Sequence, residues 1–259
     1  MSHPLRVGLF PYLNVQPLVF GLATEQDCEL VLDLPSRIAE RFRAGALDLA
    51  MVPSIDAAEL NAPILDGVCI GSDGPVETVM LHHRVPLRLV KTLALDEASR
   101  TSAALARILI ADASGAHPKA ALFSPLRDRT PDADAVLVIG DPAFTFRQPG
   151  FDRLDLGQEW RLKHELPFVF AVMVMGPRAT QRGLASRVRQ ATERGLEAAS
   201  TIARSYNAGV DAVRAENYLR QTIRYDLGRR EKQGLALFYR RAQEIGLLAH
   251  AKEPEFHAF

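Results

Sequence analysis

Several short polar stretches interrupt otherwise apolar runs: Tyr12 and Asn14 within FPYLNVQPL, Ser72 in SDGP with Thr78 beyond it, SRTS at Ser99, Arg100, Thr101 and Ser102, and Gly140 and Asp141 in GDPAF. Ser54, at the end of DLAMVPS, is a weaker signal of the same kind. Hydroxyls, an amide, a guanidinium and a glycine backbone bind and orient anions; none of them is a strong base.

SRTS is the sharpest of these signals. It follows a strand ending in LALD and opens the helix AALARILI, so free N–H groups, three hydroxyls and Arg100 together form a receptor for a carboxylate or phosphate. Ordinary N-capping needs one hydroxyl rather than four polar residues in a row. Gly140 lets backbone approach a ligand closely. Asp141 either holds a substrate hydroxyl or caps the next helix. SDGP is a turn on composition alone, and Ser72 and Thr78 add hydroxyls where they face a cleft. Asn14 offers amide donors and an acceptor, against a local role in its own turn. His82 and His83 are adjacent on a strand, so only one of them can face any given side.

The elements that must position these residues follow from the apolar pattern. LRVGLF (5–10), CELVLDLP (28–35) and LDLAMVPS (47–54) read as strands separated by helices, the second helix being SRIAERFRAG with Ser36 as N-cap and Gly45 as its stop. This order implies βαβ units and a mostly parallel sheet. Strands follow at 68–72, 76–83 and 90–96, then a helix over 99–112 and a buried strand in DAVLVIGDPAFTF. DRLDLGQEWRLKHELP reads as loop with some helix, and only helices are expected after residue 179.

Two long extended runs, 76–83 and 167–174, bracket the middle section. The expectation is an α/β fold of two lobes joined by two crossover strands, with residues 1–86 and 174–259 in the first lobe and 87–173 in the second. Such a layout puts the site in the cleft, at strand ends and helix starts.

Composition narrows the function. In 259 residues, 31 Lys plus Arg balance 31 Asp plus Glu, so no global field draws in nucleic acid or an anionic membrane. Cys28 and Cys69 lack metal-ligand spacing and read as reduced thiols. No apolar run reaches the roughly 18 residues of a membrane span, and the N-terminus lacks an export signal, which predicts a cytoplasmic protein. GxGxxG, GxxxxGK[ST], HExxH, GxSxG and CxxC are all missing, leaving nucleotide, zinc-hydrolase and serine-hydrolase readings unsupported. The helical end could mediate a homodimer.

Six motifs in order, YLN-x-x-PL (12–18), DLA-x-x-PS (48–54), SDGPV (72–76), LALDEASRTS (93–102), VIGDPA (138–143) and DLGQEW…LPFVFAV (155–172), resemble the chorismate dehydratase family of the futalosine route to menaquinone. The match spans about two-thirds of the chain. It implies a type II periplasmic-binding-protein-like fold, agreeing with the layout above, and loss of water from chorismate without metal or organic cofactor. With that substrate, the candidates already read from the residues, Tyr12, Ser54, Ser72, Ser99, Arg100, Thr101, Ser102, Gly140 and Asp141, are expected to bind it. Asn14 and Thr78 would then hold the enolpyruvyl carboxylate while that group takes a ring proton. Where family members often carry Ser and a Phe-Ser pair, this chain has Thr78 and His82-His83. A sibling of the same route, 1,4-dihydroxy-6-naphthoate synthase, differs at the YLN loop and at the helix start. A non-catalytic small-anion solute-binding protein is the alternative from another class.

Overall fold

Continuous apolar runs such as LAMVP and FVFAVMVM are buried along their whole length, as strands are when helices cover both faces of a sheet. The computed structural model describes residues 4–115, 117–179, 183–250 and 252–257. The chain opens with β1 (Leu5–Leu9), a 3-10 turn (Leu13–Val15), α1 (Gln16–Leu22), β2 (Cys28–Leu32), α2 (Pro35–Arg43), β3 (Leu49–Pro53), α3 (Ser54–Leu60) and β4 (Ile64–Ser72). It continues with β5 (Val79–His83), β6 (Thr92–Asp96), α4 (Thr101–Ser114), β7 (Lys119–Phe123), β8 (Ala135–Ile139), α5 (Pro142–Thr145), β9 (Asp152–Asp155) and α6 (Leu156–His164). β10 (Phe168–Met175) leads into α7 (Leu184–Glu197), α8 (Ala199–Ser205), α9 (Ala212–Asn217), a π-helical turn (Tyr218–Thr222), α10 (Arg229–Glu244) and β11 (Phe256–His257).

The strands form two sheets, ordered β11-β4-β10-β3-β1-β2 and β7-β6-β8-β5-β9. Each sheet is parallel except for one reversed strand: β10 runs antiparallel to β3 and β4, and β5 antiparallel to β8 and β9. These are the strands that follow each crossing between sheets. The first crossing strand is shorter than the sequence implied, whereas β10 matches the run expected over 167–174 to within one residue. Residues 73–78 are not strand, and β5 starts only at Val79, because Gly74 and Glu77 both have positive φ. Pairing puts β5 in the second sheet and β10 in the first. The boundaries 86/87 and 173/174 had grouped residues 79–83 with the first lobe and 168–173 with the second.

The two crossings are tied together by one carboxylate. Asp155 accepts from the Val76 and Glu77 amides at 2.8–3.1 Å while capping α6 through Gly157 and Gln158. Five bonds from four N–H groups explain how a partly buried acid is tolerated there.

The loop after β1 is fixed from behind by α1, which lies against α7 with backbone touching backbone. A Cβ at Gly21 would stand 1.8 Å from the Ala191 carbonyl oxygen, and one at Gly195 would stand 1.9 Å from that of Pro17. Only glycine permits this approach. At α2 the expected Ser36 cap is replaced by Leu34 with Pro35 in the first turn, where its missing N–H costs nothing. Gly45 does stop that helix, at φ 70°. β9 lies where the sequence predicts loop, since four residues beside a helix cap carry little periodicity.

Candidate active site

Between the lobes lies a narrow cavity walled by residues of both sheets. Its walls come from strand ends and helix starts: Tyr12 and Asn14 after β1, Thr78 after the first crossing, Ser99 and Ser102 at α4, and Gly140 after β8. Most of the residues read from the sequence therefore meet in one place, and the exceptions have visible reasons.

Ser54 is fully buried, and its hydroxyl donates to the Val169 carbonyl oxygen at 2.7 Å, bracing β10 rather than lining the cavity. Ser72 likewise donates to the Gly74 carbonyl oxygen at 3.0 Å, packed so tightly that a Cβ on Gly157 would lie 2.7 Å from its oxygen. Asp141 faces the outer cleft, and both its oxygens are bonded to protein: Oδ1 accepts from the Leu13 amide at 3.1 Å, and Oδ2 lies 2.5 Å from the Tyr206 hydroxyl. It neither holds the helix cap with its side chain nor reaches the inner cavity. Arg100 borders the cavity, but its guanidinium turns to α3, 2.6 Å from Asp56 and 2.9 Å from Glu59.

The start of α4 is uncapped by any side chain. Thr101 is engaged across the lobes, its hydroxyl accepting from the Ile55 amide at 3.2 Å. Ser99 is different: its Oγ is buried with no partner among the described residues. Asn14 Oδ1 is in the same state. Buried polar atoms are normally paired, so two orphans on one cavity wall, one from each lobe, mark where a ligand's polar atoms belong. The first-turn N–H groups of α4 add the positive end of a helix dipole.

Gly140 at φ 66° serves the wall directly. A Cβ there would stand 3.2 Å from the Tyr12 ring, which lies across it. Tyr12, Ala98 and Ile139 border both the inner cavity and a wider outer cleft, and so form the neck between them. Asp96 fixes that neck, accepting from the Ala98 amide at 3.0 Å and the Ile139 amide at 3.1 Å. Burial pushes its carboxyl up to about 6, against those two bonds. Burial, with Asp96 and Asp141 nearby, also raises the Tyr12 phenol, which stays neutral.

Neither histidine of the pair enters the cavity. His82 is fully buried on the other face of β5, edge-on to Phe146 at 5.0 Å between ring centroids, and burial with Arg153 and Arg147 pushes it down to about 4. His83 Nδ1 lies 3.0 Å from the Val85 carbonyl oxygen. Among the described residues, those lining the cavity include no carboxylate and no imidazole.

Sequence reasoning passed over Tyr218, whose hydroxyl lies 2.7 Å from Thr78 Oγ1. It sits in a π-helical turn far along the chain, and no local pattern marks it. Asp155 and Asp96 were also passed over, although Asp155 with Gln158 at the third helical position is a capping-box spacing.

A family model described as menaquinone biosynthesis matches residues 5–244. The chain belongs to this menaquinone-biosynthesis family. A chorismate dehydratase of Thermus thermophilus is 28% identical over 268 residues, covering 94% of this chain and 96% of that protein. Among solved structures, protein AF1704 of Archaeoglobus fulgidus superposes with a TM-score of 0.72 at 17% identity, over 95% of this chain and 99% of that one. The alkanesulfonate-binding protein SsuA of Xanthomonas axonopodis pv. citri, bound to MOPS, gives 0.68 at 17% identity over 98% and 97%. These likenesses bear out the periplasmic-binding-protein-like fold that the family resemblance implied, in agreement with the two lobes expected from strand order. No helix among the described residues is long and apolar enough to cross a membrane.

Proposed function

We propose that this chain is a hydro-lyase that converts chorismate to 3-[(1-carboxyvinyl)oxy]benzoate, as a cytoplasmic step of menaquinone biosynthesis by the futalosine route. Membership of the menaquinone family and likeness to a chorismate dehydratase support the substrate. The observation that carries the chemistry is the cavity wall itself: orphaned polar atoms on Asn14 and Ser99, an uncapped helix start, and no carboxylate or imidazole beside them.

Chorismate carries a ring carboxylate, an enolpyruvyl carboxylate, a C4 hydroxyl and an allylic hydrogen at C3. The C3–H bond is vinylogous to the ring carboxylate, so charge released on its cleavage spreads onto that group. With the ring carboxylate at the start of α4, the Ser99 and Ser102 hydroxyls and the helix N–H groups stabilise it as it grows. Removal of one such donor costs about 2.7–4 kcal/mol of barrier in comparable sites.

Since the wall supplies no base, the substrate's own enolpyruvyl carboxylate takes the C3 proton. Expulsion of the C4 hydroxyl then leaves a benzene ring and water. The protein's contribution is orientation, worth roughly 7–11 kcal/mol where reacting groups are well aligned. Asn14 and Thr78 line the reacting end, and Tyr12 across Gly140 closes the neck against water.

Turnover of chorismate by Asn14→Ala, Thr78→Ala and His83→Ala tests the assignment. The first two should lose activity and the third keep it. Near-normal rates for Asn14→Ala and Thr78→Ala, with loss in His83→Ala, would install an imidazole base instead.

A further inference from the structure

Tyr218 is 1% exposed, so its hydroxyl proton needs an acceptor inside the protein. Thr78 Oγ1, at 2.7 Å, can take it. Asn14, the other polar residue close to this phenol, leaves its Oδ1 without a partner and so does not. Tyr218 therefore donates and Thr78 accepts, which forces the Thr78 proton to point elsewhere. Its acceptor within the protein is the Val76 carbonyl oxygen at 3.4 Å, longer than a good hydroxyl bond. The other direction open to it is the cavity, whose wall Thr78 forms.

The ring that carries this hydroxyl is held firmly. Tyr218 packs edge-on to Phe144 with centroids 5.0 Å apart, and Phe144 in turn lies under the Arg214 guanidinium at 5.2 Å. Tyr218 opens the π-helical turn Tyr218–Thr222 that ends α9, after which the chain is extended at Ile223.

We propose that the Tyr218 hydroxyl is a positioning group that turns the Thr78 proton into the cavity, so that Thr78 as donor and Asn14 as acceptor together grip the substrate hydroxyl that leaves as water. The inference rests on the dehydratase reading and deepens it. A hydroxyl both donates and accepts, matching the pair, whereas a carboxylate only accepts and would meet the Asn14 Oδ1 oxygen unfavourably. The enolpyruvyl carboxylate, which the sequence reading has Asn14 and Thr78 hold, is on this inference left free to act as base. In the step itself, the C3–H pair becomes the third double bond of the ring while the C4–O bond breaks and its pair leaves with oxygen. The proton taken from C3 ends on that oxygen, and water departs. Thr78 lends a hydrogen bond to the developing hydroxide and returns unchanged.

Steady-state kinetics on chorismate of the wild type, Tyr218→Phe, Thr78→Val and the double variant test this. Tyr218→Phe keeps the ring on Phe144 and should lower kcat roughly tenfold with KM within about twofold, the loss of one hydrogen bond felt mainly in the transition state. Because Tyr218 acts through Thr78, the double variant should be no slower than Thr78→Val alone. Thr78→Ser, which restores the hydroxyl, should recover both the rate and its sensitivity to Tyr218→Phe. An active wild type with Tyr218→Phe unchanged in kcat, or a double variant losing the product of the two single losses, would overturn the inference alone. A wild type inert toward chorismate would overturn the dehydratase reading and this inference with it.

Discussion

The Tyr206 hydroxyl stands 2.5 Å from Asp141 Oδ2 and 2.6 Å from the Pro11 carbonyl oxygen, while Asp141 Oδ1 accepts the Leu13 amide. Asp141 follows β8 in the second lobe, and Pro11 and Leu13 flank Tyr12 in the first. The pair is therefore a tie between lobes that holds the loop bearing Tyr12 and Asn14. Tyr206→Phe should cost about 1 kcal/mol of stability and raise the KM for chorismate more than it lowers kcat, because binding geometry loosens first. Thermal denaturation and steady-state kinetics that both match the wild type would show that the tie positions nothing.

Ser99→Ala separates function from folding. Its oxygen is buried and unpartnered, so deleting it relieves a desolvated group, and the melting temperature should hold or rise. Turnover should nevertheless fall by roughly 10²–10³, the usual loss for one donor to a developing anion. An active Ser99→Ala enzyme would remove the ring carboxylate from the start of α4.

The site was legible in the sequence where polar residues broke apolar runs at strand ends. Asn14, Thr78, Ser99 and Gly140 all reached the cavity wall for that reason. Ser54 and Ser72 show the same local signature yet turn away, because a hydroxyl at a strand end bonds the nearest free carbonyl, and which one is near depends on β10 and the Gly157 turn. Tyr218 and Tyr206 lie in the helical third of the chain, and only tertiary packing brings them to residues some 140 and 65 positions away. The longer apolar strands, β10 among them, were legible as apolar runs, but the break in the first crossing was not, since it depends on positive φ at Gly74 and Glu77 and on the Asp155 carboxylate that accepts the Val76 and Glu77 amides.

Asp56 gives the protein a pH dependence of known sign. Burial raises its carboxyl to about 6 despite the Arg100 guanidinium 2.6 Å away, whereas an unfolded aspartate titrates at about 3.9. The folded state then binds more protons between about pH 4 and 6, so this group's stabilising effect, full below pH 4, is lost as pH rises through 6. Asp56→Asn removes that titration while Asp96, with a similar rise, stays in both proteins. The melting temperature of the variant minus that of the wild type should climb from pH 4 to 6 and level off above. A difference that is flat or falls across this window contradicts the assignment.

His82→Leu should keep turnover within about twofold and leave stability equal or higher, since both ring nitrogens are buried without partners and an apolar side chain of similar size suits the Phe146 face. Loss of turnover beyond about tenfold, with the fold intact by circular dichroism, would return the imidazole to the chemistry.

The most direct measurement follows chorismate by proton NMR in the presence of the purified protein, with a chelator and no added cofactor. The ring signals of chorismate should give way to those of 3-[(1-carboxyvinyl)oxy]benzoate in equal amount, and Asn14→Ala should slow the conversion by at least about 10² if orientation is the protein's main contribution. Unchanged chorismate, or conversion to a product that has lost or migrated its enolpyruvyl group, would contradict the account.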